Sequence, residues 1–169
     1  CVTRRQRQMC IRDRYKGISN KNSTMSLPVP MLNIMNGGCH ANNNIDIQEF
    51  MIIPSNKFNF KDGLMKSVEV YTNLKSILKE KGLSVSVGDE GGFAPNLKTS
   101  EEVLDLIILS IERTGLIYLD DMSIALDCAA SEFFSKDSYK LTGENKKFSS
   151  DEMVFYMQAL VDKYEIKSV

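Results

Sequence analysis

Apolar side chains recur every three or four positions along Phe60–Lys81, at Leu64, Val68, Tyr71, Leu74 and Leu78. That spacing predicts a helix with one buried face. Asn59 suits its N-cap, and Gly82 suits its stop. The same period returns at Val103, Leu106, Ile107, Ser110 and Ile111. There a T-x-x-E box at Thr99–Glu102 predicts the helix start, and Gly115 its end. A second capping box, Ser149 to Glu152, predicts a third helix through Leu160 to about Tyr164. Between the helices the pattern changes. Leu27 to Asn36 is apolar but carries Pro28 and Pro30, which suits an edge strand or the start of a strand. Ile45 to Ile53 alternates and thickens, as a strand does. Ser123 to Leu126 predicts a short buried strand ending at Asp127. Phe133 to Leu141 predicts a hairpin turning at Lys136 to Ser138, and Ile166 to Val169 begins one more strand.

Composition adds little to this until the ends are compared. The chain has 169 residues, 43% hydrophobic and 25% charged, which is ordinary for a globular protein. No apolar run reaches membrane-span length, and no signal-peptide pattern is visible. Residues 1–14 hold five arginines, whereas the rest of the chain holds only Arg113. Without that stretch 16 basic and 21 acidic residues remain, so the body is acidic with a net charge of −5. A basic arm can bind nucleic acid or anionic lipid. This one has no aromatic interleaving and no helical period, so we read it as a non-native leader and expect no nucleic-acid or membrane partner. Residues 15–26 are polar, with Gly17, Asn20, Asn22, Ser23 and Thr24, and read as a linker. Four cysteines, Cys1, Cys10, Cys39 and Cys128, show no CxxC spacing or paired framework. We therefore expect free thiols in a reducing, cytoplasmic setting. Cys39 reads as a loop thiol without a supporting base.

Three polar stretches interrupt the apolar pattern. NGGCHANNNIDIQEF, Asn36 to Phe50, holds the sole histidine, His40, after Gly37 and Gly38. Glycine pairs allow a sharp turn or close approach to a ligand, and Asn42, Asn43 and Asn44 continue the turn chemistry. Gln48 and Glu49 follow at or near the start of a strand. By itself this is equally a plain turn with an exposed histidine and glutamate. VGDEGGFAPN, Val87 to Asn96, sets Asp89 and Glu90 among Gly88, Gly91 and Gly92, with Phe93 as an anchor. That is either an acidic turn or a loop reaching over a polar substrate. ALDCAASEFF, Ala125 to Phe134, puts Asp127 at the carboxyl end of a strand. α/β barrels place their chemistry there, although an aspartate in that position also caps turns.

These three stretches, in this order, closely resemble the enolase family of glycolytic phosphopyruvate hydratases, and the likeness is near-continuous from about Tyr15 to Val169. The resemblance implies an α/β fold: part of an enolase-type TIM barrel, opening with an antiparallel strand pair. It assigns 15–26 to the exit from the family's N-terminal domain and 27–169 to the first part of the barrel domain. It implies Mg²⁺-dependent dehydration of 2-phosphoglycerate in the full-length protein, a homo-oligomer in the cytoplasm, with cell-surface or secreted forms also open. It matches Glu90 to the family's proton donor, Glu49 to that donor's carboxylate partner, His40 and Gln48 to substrate contacts, and Asp127 to one of three metal carboxylates. The family's catalytic lysine, its two other metal carboxylates and its phosphate-holding residues match nothing in this sequence. We therefore expect a fragment that is inactive by itself. The alternative is a stand-alone module that binds a divalent cation or a partner without catalysis.

Overall fold

The computed structural model describes residues 27–169. The proposed leader and linker lie outside the described residues. The first elements are strand β1 (Leu32–Asn36), a 3-10 turn (Gly38–His40) and strand β2 (Glu49–Pro54). Helices α1 (Phe60–Glu80) and α2 (Ser100–Arg113) come next, before strand β3 (Met122–Asp127). A small meander, β4 (Phe134–Ser135), β5 (Ser138–Leu141) and β6 (Lys146–Phe148), leads to helix α3 (Ser150–Tyr164). No described helix is long and apolar enough to cross a membrane.

β1, β2 and β3 form one sheet in that order, antiparallel at both junctions. The opening strand pair therefore breaks simple βα alternation, and two helices in succession separate β2 from β3. Just beyond α3, Lys167 N–H bonds the carbonyl of Ile124 and Leu126 N–H bonds that of Ser168, at 2.9 and 3.0 Å. This is a parallel contact, Ala125 with Ser168. Neither of the two three-stranded sheets closes on itself among the described residues.

Local chemistry accounts for the helix ends. Asn59 Oδ1 accepts Asp62 N–H at 2.9 Å, and Gly82 takes φ +69°, where a side chain would strain the backbone. Ser149 and Glu152 form a complete capping box. At α2 only half of that motif forms. Thr99 accepts Glu102 N–H, but the Glu102 carboxylate takes Lys98 N–H at 2.8 Å instead.

Two expectations need correction, and a third is incomplete. In α1, Leu64 and Val68 are 37% and 50% exposed, and the buried stripe runs Gly63, Ser67, Val70, Leu74, Ile77 and Leu78. The small residues explain the rotation. A Cβ on Gly63 would stand 3.1 Å from Pro54 Cγ, so the helix packs closely on the end of β2 there. Ser67 satisfies its hydroxyl on Gly63 O. Next, the strand expected from Ile45 begins only at Glu49. Asn43 Oδ1 takes the N–H of Ile45, while the carbonyls of Ile45 and Gln48 accept Gly38 and Gly37 N–H. The backbone groups a strand would offer are thus used within the loop. Last, the expected hairpin forms, turning on Lys136 and Asp137, both at positive φ as a tight two-residue hairpin turn requires, but β6 adds an unforeseen third strand.

One cluster holds most of the buried apolar side chains among the described residues. Ile34, Met35, Phe50, Ile52, Ile124 and Leu126 of the sheet meet Leu74, Ile77, Leu78, Leu104, Ile107 and Ile111 of α1 and α2. The meander docks on the loop after β1 through polar contacts. The Asp46 carboxylate accepts the Thr142 hydroxyl and Gly143 N–H at 3.1 Å, and Glu144 N–H at 3.3 Å. A Cβ on Gly143 would fall 1.6 Å from Asn44 O. We expect Gly143→Ala to push the meander off this loop and cost about 2 kcal/mol. Urea denaturation checks this, and an unchanged midpoint would show that the docking is dispensable.

Candidate functional site

The end of the sheet carrying the carboxyl termini of β1 and β3 is where the three polar stretches meet. Asn36, Glu49 and Asp127 lie opposite one another in register across β1, β2 and β3. Because β2 runs antiparallel to its neighbours, its first residue shares a row with their last.

The glycines set the loops. A Cβ on Gly37 would meet Ile47 O at 2.4 Å, and Gly38 sits at φ +51°. The tight turn they permit lifts His40 back over the start of β2. The second loop is tied to the first. Asp89 N–H donates to His40 O at 2.9 Å, and a Cβ on Gly88 would lie 2.4 Å from that same oxygen. Phe93 is buried and bridges Met35 and Val87.

As a result His40, Glu49 and Glu90 each present a donor atom within 4.8 Å of the others. Glu49 Oε1 lies 3.3 Å from His40 Nδ1, with the side chains 17% and 25% exposed. That nitrogen is enclosed and has no hydrogen bond of acceptable geometry. The contact is therefore a close approach and not a hydrogen bond. Asp127 stands outside the three-residue cluster but faces Glu49 across the strand pair. It is exposed, and its Oδ1 caps the next turn by accepting Ala129 N–H at 3.1 Å. Gln48 lies directly before β2; its carbonyl serves the loop by accepting Gly37 N–H. Asp89 contributes backbone to this junction. An open depression of about 510 Å³ adjoins the cluster, with His40, Asn42, Val87 and Asp89 among its walls.

Burial first, then the negative charge of Asp127, push the Glu49 carboxyl above the usual carboxylate range; His40 pulls it back in part, and Glu90 adds a lesser push. This has a consequence for stability. With its folded-state pKa above the unfolded value, Glu49 loses its proton first in the unfolded chain. Folding is unpenalised below the unfolded value and becomes penalised as pH rises through the folded one. Glu49→Gln removes the penalty, so we expect a Tm higher by a few degrees at pH 7 and unchanged at pH 3. A lower Tm at pH 7 would show that the His40 contact outweighs the crowding.

The two described cysteines are free thiols. Cys39 Sγ donates to Glu132 Oε2 at 3.1 Å, and this carboxylate raises the thiol's pKa, the reverse of activation. Burial pushes Cys128 up to about 11. Sequence reasoning missed Glu132, which has no local signal. It also missed the roles of Asn36 and Tyr71. Asn36 Oδ1 accepts Gly92 N–H at 2.8 Å, and the Tyr71 hydroxyl donates to Gly91 O at 2.8 Å. Asn36 read as the end of the first strand stretch and Tyr71 as helix packing, and only the partners' identity distinguishes those roles.

The family described as enolase, C-terminal TIM barrel domain, matches residues 24–169. The match covers every described strand and helix and all three polar stretches of this site. The chain therefore belongs to the enolase C-terminal TIM barrel domain family.

Proposed function

We propose that this chain carries the acid side of a phosphopyruvate hydratase site, which dehydrates 2-phosphoglycerate to phosphoenolpyruvate. The observation supporting this reading is the approach of His40, Glu49 and Glu90 within 4.8 Å at the end of the sheet where Asp127 faces Glu49. Glu90 protonates the departing C3 hydroxyl, whose C–O bond breaks as water leaves. Glu49 stands beside Glu90 as its carboxylate partner. His40 and Gln48 contact the substrate. The nearby depression gives a polar ligand room beside His40.

The reaction also needs a divalent cation, and the residues present fit one. Mg²⁺ takes carboxylate oxygens, and Glu49 and Asp127 face one another across the strand pair at this end of the sheet. Asp127 would hold the ion. When bound, Mg²⁺ offsets the charge that builds on the substrate carboxylate as C2 loses its proton, the known chemistry of enolase-superfamily sites. No residue of this sequence matches the family's C2 base. Lys57, Lys146 and Lys163 are engaged with Asp120 and Asp121, Glu144, and Glu101 respectively.

The test is a chimera in which residues 24–169 replace the matching segment of an active enolase. We expect Mg²⁺-dependent formation of phosphoenolpyruvate by the chimera and none by the 169-residue chain alone. A folded but inactive chimera would overturn the proposal. Turnover by the isolated chain, after controls for host enolase, would overturn its inactivity. The same cluster favours a second reading, a cation-binding module without catalysis. That reading predicts micromolar binding of a divalent ion by the isolated chain, which calorimetry decides.

A further inference from the structure

Glu90 is exposed and sits among Gly88, Gly91 and Gly92, yet its carboxylate lies within 4.8 Å of donor atoms of His40 and Glu49. Glycine lowers the cost of a turn but also widens the range of conformations the loop can visit. Gly91 adopts φ +82° with no neighbour within 4 Å of a Cβ built there, so nothing confines it from that side. The confinement comes at the next peptide. The carbonyl of Gly91 and the N–H of Gly92 belong to one peptide plane, and both are gripped. The Tyr71 hydroxyl donates to the carbonyl at 2.8 Å, and Asn36 Oδ1 accepts the N–H at 2.8 Å.

Both grips are rigidly mounted. Tyr71 projects from α1, with its ring stacked on Phe93 at 4.3 Å between centroids and 11° between planes. Asn36 is fully buried, and a Cβ on Gly92 would sit 2.7 Å from its Oδ1. Asn36 is also the register partner of Glu49. One side chain thus stands beside Glu49 on the sheet and holds the loop that carries Glu90.

We propose that Tyr71 and Asn36 are positioning residues that clamp the Gly91–Gly92 peptide and thereby set the place of Glu90 against His40 and Glu49. The functional meaning rests on reading Glu90 as the acid, but the clamp is testable on the 169-residue chain without turnover. Two NMR readouts serve: the nuclear Overhauser effect between the His40 ring and the Glu90 side chain, and hydrogen exchange at the amides of Gly88, Gly91 and Gly92. Tyr71→Phe keeps the ring stack and removes one hydroxyl. We expect these amides to exchange roughly fivefold faster, as for one lost hydrogen bond, with core amides such as Ile107 unchanged. The His40–Glu90 effect should fall at least twofold. Asn36→Ala should do the same and more; if it does not fold, Tyr71→Phe decides alone. Ile111→Val, a core change away from both hydrogen bonds, should lower Tm and leave the His40–Glu90 effect in place. The proposal is overturned if Tyr71→Phe leaves both readouts unchanged, or if loop and core amides accelerate together, the mark of a merely structural role. Normal turnover by a Glu90→Gln chimera would overturn the acid assignment and leave these readouts standing.

Discussion

Glu90→Gln in the active chimera is expected to cut turnover by roughly 10²–10⁴-fold, the range for losing one positioned general acid. That corresponds to about 3–5 kcal/mol of barrier. The glutamine keeps the side chain's shape and can still donate a hydrogen bond to the C3 oxygen. It cannot release a proton to it. Stability should hardly change, because Glu90 is exposed and such substitutions usually fall within about 0.5 kcal/mol. The amide also removes one of the charges that raise the Glu49 pKa, which works in the stabilising direction. A coupled spectrophotometric assay for phosphoenolpyruvate, read beside a thermal melt, separates the two effects. A parallel fall in Tm would assign the loss to unfolding. Normal turnover would remove Glu90 from the chemistry.

Phe50→Ala should be the most damaging of these substitutions to the fold. Phe50 has no solvent exposure and lies between Met35 and Leu126, one residue in from Glu49. Truncating it removes an aromatic side chain and leaves a cavity that rigid strands on both sides cannot close, at a cost of about 3–5 kcal/mol. Domains of this kind have about 5–15 kcal/mol in all, so about a fifth of the total or more is at stake. The effect also reaches the site, because Asn36, Glu49 and Asp127 keep their register only while these strands stay paired. Urea denaturation measures the loss directly, and a midpoint within error of the parent chain would contradict this account of the core.

Local grammar was legible in the residues. Periods of three and four placed α1 and α2, and capping residues at Asn59, Thr99 and Ser149 placed the helix starts, since a cap acts within four residues of itself. The glycines of the two loops marked where the backbone must turn or touch. Three ordered stretches were enough for the family likeness. What the sequence left open was which groups face one another. Leu64 and Val68 had the right period but the wrong face, because the close approach of Gly63 to Pro54 turned α1. The strand at Ile45 looked sound until the loop claimed its hydrogen bonds. Asp46 reaches the meander 97 positions away, and Asn36 reaches Gly92 56 positions away. The row of Asn36, Glu49 and Asp127 exists only through strand register. Periodicity and capping are short-range and carried by neighbours in the chain. Facing and register depend on the shape of whatever packs opposite, so only the tertiary structure could decide them.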